Sequence, residues 1–190
     1  MVVNNNSEKI RKMVYVSVLT ALVIVLQLMA SAFARLGIFT ISTVLVPIVI
    51  GTAICGVGAG AWLGFVFGIA VLLSGDATAF LTVDAFGTVI TVIAKGVFAG
   101  VLSGAAYKLL EKKNRYGAVV TSAVVCPIVN TGVFLIGCSL FFWDTVSEWA
   151  KSDVITEVIF YLIGFNFLFE LLLNIILAPV ILRLINMKKA

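Results

Sequence analysis

From Val14 to Ala34 the chain carries no charged side chain, and the same is true from Leu36 to Gly75 and from Tyr116 to Trp143. A helix needs about 20 consecutive apolar residues to cross a bilayer, and only structures that satisfy their own backbone can sit there. Composition removes the alternative of a soluble core. The chain is 62% hydrophobic and 12% charged over 190 residues, against about 45–50% and about 25% in soluble domains. The expected fold class is therefore an all-α, polytopic integral membrane protein.

Charge, glycine and proline divide the apolar sequence into six transmembrane helices, at about 13–34, 39–55, 58–74, 85–109, 117–142 and 157–184, in a single membrane domain spanning 1–190. Lys9, Arg11 and Lys12 ahead of an apolar run that closes on Ala32-Phe33-Ala34 imitate a signal peptide. The run exceeds the about 7–15 residues of a signal core, so a first transmembrane helix is the better reading. Pro47 falls inside the second helix, where neighbours are expected to satisfy the carbonyl it frees. Ser74–Asp84 reads as a more polar loop with Asp76 and Asp84, and Asp144–Glu157 as an acidic connection containing Trp149.

Six crossings put both termini on one side. That side receives Lys9, Arg11, Lys12, Lys108, Lys112, Lys113, Arg115, Arg183, Lys188 and Lys189, the other only Arg35 and Lys151. The asymmetry predicts cytoplasmic termini in the cell membrane. It also accounts for the net charge of +4, because the basic residues sit in short clusters between apolar runs; nucleic-acid binding is excluded. Cys55, Cys126 and Cys138 are odd in number and show no metal-ligand spacing, and there is no histidine. Neither a metal site nor a cofactor is expected.

Two rows of small residues recur at four-residue spacing: Gly56, Gly60, Gly64 and Gly68, then Gly96, Gly100 and Gly104. Such rows let helices approach closely, either within the chain or against a partner. Ser17 and Ala21 form a shorter pair of this kind. Trp62 reads as an interfacial anchor.

The candidate chemistry lies at the centres of the helices. Asn166, Glu170 and Asn174 are four apart and share one helical face. A carboxylate at that depth costs roughly 2.5–3.5 kcal/mol on insertion scales, so Glu170 must face protein or water. Lys95 and Asn130 lie near the middle of their own helices, at a similar depth. Lys95 and Glu170 either neutralise one another as a structural pair or flank a pocket, in which Lys95 meets an anionic group and the asparagines offer donors and acceptors. Trp143 and Trp149 are looser candidates for lid contacts. No phosphate-binding G-x-x-x-x-G-K-[ST] loop, H-E-x-x-H or G-x-S-x-G motif occurs, and no enzyme is expected.

Four stretches in this order carry a resemblance: Val18-Leu19-Thr20-Ala21-Leu22, Pro47 to Gly68 (PIVIGTAICGVGAGAWLGFVFG), Pro127-Ile128-Val129-Asn130-Thr131-Gly132, and Asn166 to Asn174 (NFLFELLLN). The chain resembles the substrate-binding S components of energy-coupling factor (ECF) transporters, the prokaryotic importers of vitamins and micronutrients. The resemblance implies a membrane-embedded binding protein that opens outward and docks on a transmembrane coupling subunit with two cytoplasmic ATPases. Family members dock through an Ala-x-x-x-Ala pair on the first helix. Ser17 and Ala21 stand there, the serine departing from the pattern while staying small. By position, Lys95, Asn130, Asn166 and Glu170 fall on the site-forming helices, and Asp76 to Asp84, Asp84 above all, on the covering loop. Lys95 and Asn130 match the pattern of pantothenate components. Riboflavin ranks next, with folate, pyridoxine-like compounds and a queuosine precursor open. The competing class is a self-sufficient, proton-coupled secondary transporter using Lys95 and Glu170; a structural subunit without a ligand is the third.

Overall fold

The computed structural model describes residues 5–35, 43–150, 164 and 166–189. They form helices α1 (Asn5–Arg35), α2 (Leu45–Cys55), α3 (Val57–Ser74), α4 (Thr78–Leu81), α5 (Ala85–Leu110), α6 (Arg115–Phe141), α7 (Trp143–Ala150) and α8 (Asn166–Lys189). Among the described residues there is no strand, and α1, α3, α5, α6 and α8 are long and apolar enough to cross a membrane. The stretch 36–42, which holds the expected start of the second helix, lies outside the described residues. So do 151–163, with Lys151 and the expected start of the last helix, and the side chain of Trp149.

Several helix ends follow from local chemistry. Asp84 is the N-cap of α5, its carboxylate accepting from the Phe86 N–H at 3.0 Å, and Asn114 caps α6 by accepting from Gly117 N–H at 3.1 Å. Gly75 ends α3 in the left-handed conformation (φ 83°), and Gly56, at φ 98°, lets α2 stop and α3 begin within one residue. Only glycine adopts such angles without strain. Two connections are more helical than their polarity suggests. One turn of helix, α4, interrupts the loop after α3, and α7 occupies the start of the acidic segment.

Thr43 and Val44 are not helical, and α2 begins at Leu45. Pro47 consequently sits in the first turn, where the N–H it lacks has no intrahelical partner, so it leaves no freed carbonyl for neighbours to satisfy. With 11 residues and a rise of about 1.5 Å per residue, α2 is the short helix of the bundle. It is also the central one, touching α1, α3, α5, α6 and α8. Leu45, Ile48 and Val49 are fully buried and no face of it is polar, as an interior helix requires.

The two glycine rows meet each other. A methyl added at Gly64 would collide with the Gly96 carbonyl oxygen, and one at Gly96 with that of Gly64. The same reciprocal contact joins Gly60 to Gly100, and Gly68 lies against the backbone of Ile93. Backbone therefore meets backbone along most of the α3–α5 interface, the close approach that small residues permit. Peripheral α1 lies outside this core, with Leu19, Val23, Gln27 and Ser31 inward and Ser17, Val18, Ala21 and Leu28 outward. Trp62 of α3 holds it, donating its indole N–H to Thr20 Oγ at 3.1 Å.

Candidate functional site

Side chains from six helices line a cavity of about 360 Å³, within the size range of small-molecule sites. Its walls come from the ends of α1 and α3 (Gln27, Phe67, Val71), the first turns of α5 (Thr88, Thr91, Lys95), the second half of α6 (Asn130, Phe134) and the start of α8 (Asn166, Glu170). Asp76, Ala77, Phe80 and Phe142 close it from the loop side. The cavity thus occupies the end of the bundle where α1, α3 and α6 finish and α5 and α8 start. Chain direction explains the grouping: Thr88, Thr91, Val92 and Lys95 follow the three- and four-residue steps of one helical face.

The structure brings Lys95, Asn130, Asn166 and Glu170 onto one cavity surface. The Lys95 ammonium stands 5.1 Å from the centre of the Phe134 ring and 5.7 Å from that of Phe67. Ring quadrupoles attract a cation there by about 0.5–2 kcal/mol. Among the described residues, the carboxylates whose charge reaches it are Glu170 and Asp76. Among the described residues Lys95 donates no hydrogen bond, and neither Asn130 Oδ1 nor Thr91 Oγ1, both buried, has a partner. Buried polar atoms without partners are uncommon and call for an explanation. Here they surround an ammonium in a cavity wide enough for a ligand.

Asn174 lies one turn beyond Glu170 and is fully buried. Its Nδ2 donates to the Glu170 carbonyl at 2.8 Å, so it backs the site without entering the cavity lining. Asp84 is also outside the lining, its carboxylate engaged in starting α5, and Trp143 is exposed. Replacing Asp84 with alanine is expected to lower stability by about 1 kcal/mol, the usual cost of a lost N-cap, with ligand affinity within about twofold of wild type. Thermal unfolding and titration together check this; a large affinity loss at unchanged stability would return Asp84 to the site.

Sequence reasoning passed over Gln27, Thr91 and the phenylalanine walls. Gln27 had a signal: it is the one amide within the apolar run from Val14 to Ala34, and such a group turns inward. Phe80 packs edge-on against Phe134 and Phe142, with ring centres 5.6 and 5.1 Å apart. Nothing in the spacing of these rings distinguishes them from the chain's other phenylalanines.

Residues 11–184 match the family model described as ECF transporter, substrate-specific component. The chain belongs to that family. It is accordingly the substrate-specific component of an ECF transporter, a multi-pass membrane subunit that binds a transported small molecule, works with the other components of the ECF module, and is not itself an enzyme. No curated protein and no solved structure is matched by this chain. Among the described residues no cluster of metal-ligating side chains occurs.

Proposed function

We propose that this S component captures a vitamin or related micronutrient from outside the cell in the 360 Å³ cavity and delivers it through a coupling subunit driven by two cytoplasmic ATPases. The observation that carries the reading is the convergence of Lys95, Asn130, Asn166 and Glu170 on one cavity. Lys95 takes the anionic group of the ligand; Asn130 and Asn166 bond its polar groups; the phenylalanines enclose its apolar part. Asp84 serves this site by starting the helix that carries Lys95. Pantothenate is the first candidate, having one carboxylate for Lys95, and riboflavin the second.

The direction of the helices supports six crossings in one domain. The cavity end holds the last turns of both α1 and α3, so the chain between them must return through the bundle, with α2 as part of that crossing. Both termini then lie at the end that carries Lys112, Lys113 and Arg115. By the positive-inside rule that end is cytoplasmic in a prokaryotic plasma membrane, and the cavity opens outward.

Mass spectrometry of small molecules retained after purification in detergent, followed by titration with a vitamin panel, tests the assignment. One vitamin bound per chain supports it. An empty protein that ignores the panel counts against it, and uptake by this chain alone under a proton gradient would favour a self-sufficient carrier using Lys95 and Glu170.

Ser17 and Ala21 lie on the outward face of α1, opposite Leu19 and Val23, and are proposed to dock the coupling subunit. Tryptophan at either position is expected to leave ligand affinity unchanged while lowering uptake at least about tenfold, because bulk there prevents close helix approach. Paired binding and uptake assays check this; normal uptake in both variants rejects the docking role.

A further inference from the structure

Asp76 receives both of its hydrogen bonds on one oxygen. Gln27 Nε2 donates to Oδ2 at 2.6 Å, and Ser31 Oγ donates to the same atom. Gln27 and Ser31 are 4% and 2% exposed, so two side chains packed inside the bundle hold the carboxylate in one orientation. Among the described residues the other oxygen, Oδ1, has no hydrogen-bond partner, and Asp76 lines the cavity from the loop side. An ionised carboxylate only accepts hydrogen bonds. A peripheral membrane helix thus supplies two buried donors that orient an acceptor on the lining that also carries Lys95.

We propose that Asp76 is a specificity-determining residue of the cavity, whose free oxygen accepts a hydrogen bond from a hydroxyl, amide N–H or amine of the ligand, with Gln27 and Ser31 as positioning residues. The inference rests on the substrate-binding reading above and deepens it. The ligand is recognised at two ends, an acceptor end by Lys95 and a donor end by Asp76. Asp76 is exposed, so a hydroxyl or N–H of the ligand can reach this oxygen. A ligand with two carboxylates is disfavoured, since the described lining already holds Asp76 and Glu170 against the single cation Lys95.

The test titrates pantothenate, riboflavin, pyridoxine and folate into full-length wild type, Asp76→Asn and Gln27→Met. If none of the four binds wild type, a compound carried through purification takes their place. The tightest-bound probe is compared with its O- or N-methylated analogue. Asparagine can still accept from Gln27 and Ser31 while presenting an NH₂ to the ligand, so Asp76→Asn is expected to weaken the parent probe about tenfold or more. The methylated analogue, already weak on wild type, is expected to change little, and Gln27→Met to weaken the parent by about threefold through a freer carboxylate. Equal affinity of wild type and Asp76→Asn for the parent, or parallel losses for parent and analogue, would overturn the Asp76 assignment. A wild-type protein that binds none of the probes and retains no small molecule overturns the binding reading itself, an outcome separate from the variant comparison.

Discussion

Lys95→Met is expected to weaken binding of the transported ligand by about 10- to 100-fold while leaving the fold intact or slightly more stable. A hydrogen bond to a charged group contributes about 1.5–3 kcal/mol, and about 1.4 kcal/mol corresponds to a factor of ten. Methionine keeps much of the lysine's length and can lie between the Phe67 and Phe134 rings, where sulfur is well accommodated. The ligand-free protein loses the cation–π attraction but is relieved of holding a half-buried ammonium that donates no hydrogen bond among the described residues. Affinity and stability should therefore move separately, which titration and thermal unfolding on the same preparations will register. Equal affinity in the two proteins would remove Lys95 from the site. Normal binding with lost uptake would favour a role in a proton-coupled cycle.

Gly64→Ala is expected to be far more damaging than its single added methyl group suggests. The new carbon meets the carbonyl oxygen of Gly96, and a backbone carbonyl cannot rotate away as the end of a side chain can. Relief requires α3 and α5 to separate, which also opens the Gly60–Gly100 contact and the contact of Gly68 with Ile93. Overpacking in a well-packed core costs typically about 1–3 kcal/mol and sometimes more. Gly64→Ala and Gly96→Ala should both fall at the upper end, with a lower yield of monodisperse protein and a lower unfolding midpoint. Gly132→Ala is the control. A methyl there meets nothing within 4 Å, and alanine's helix preference should leave the midpoint equal or higher. An unchanged midpoint in Gly64→Ala would mean that the two helices do not approach so closely. The consequence reaches the site, since α3 and α5 carry Phe67 and Lys95, which stand together in the cavity lining.

Membrane residence and helical class were legible because uncharged apolar runs of this length have few other stable destinations. The glycine rows were equally legible as sites of close approach, since a four-residue repeat puts small residues on one face. Lys95, Asn130 and Glu170 stood out because polar groups at bilayer depth are costly wherever they fall. Each of these signals depends on a residue and its neighbours along one helix. That the glycine rows pair with each other, and that α2 is a short central helix with Pro47 in its first turn, depends on how the helices are placed side by side. The two aspartates make the same point most sharply. Asp76 and Asp84 share one short connection and look alike in the sequence, yet Asp84 caps α5 while Gln27 and Ser31 orient Asp76 beside the cavity. The sequence by itself determined that this chain spans a membrane and carries polar groups inside it. Only the tertiary structure decided which of those groups share a cavity, because burial and hydrogen-bond partners come from helices far apart along the chain.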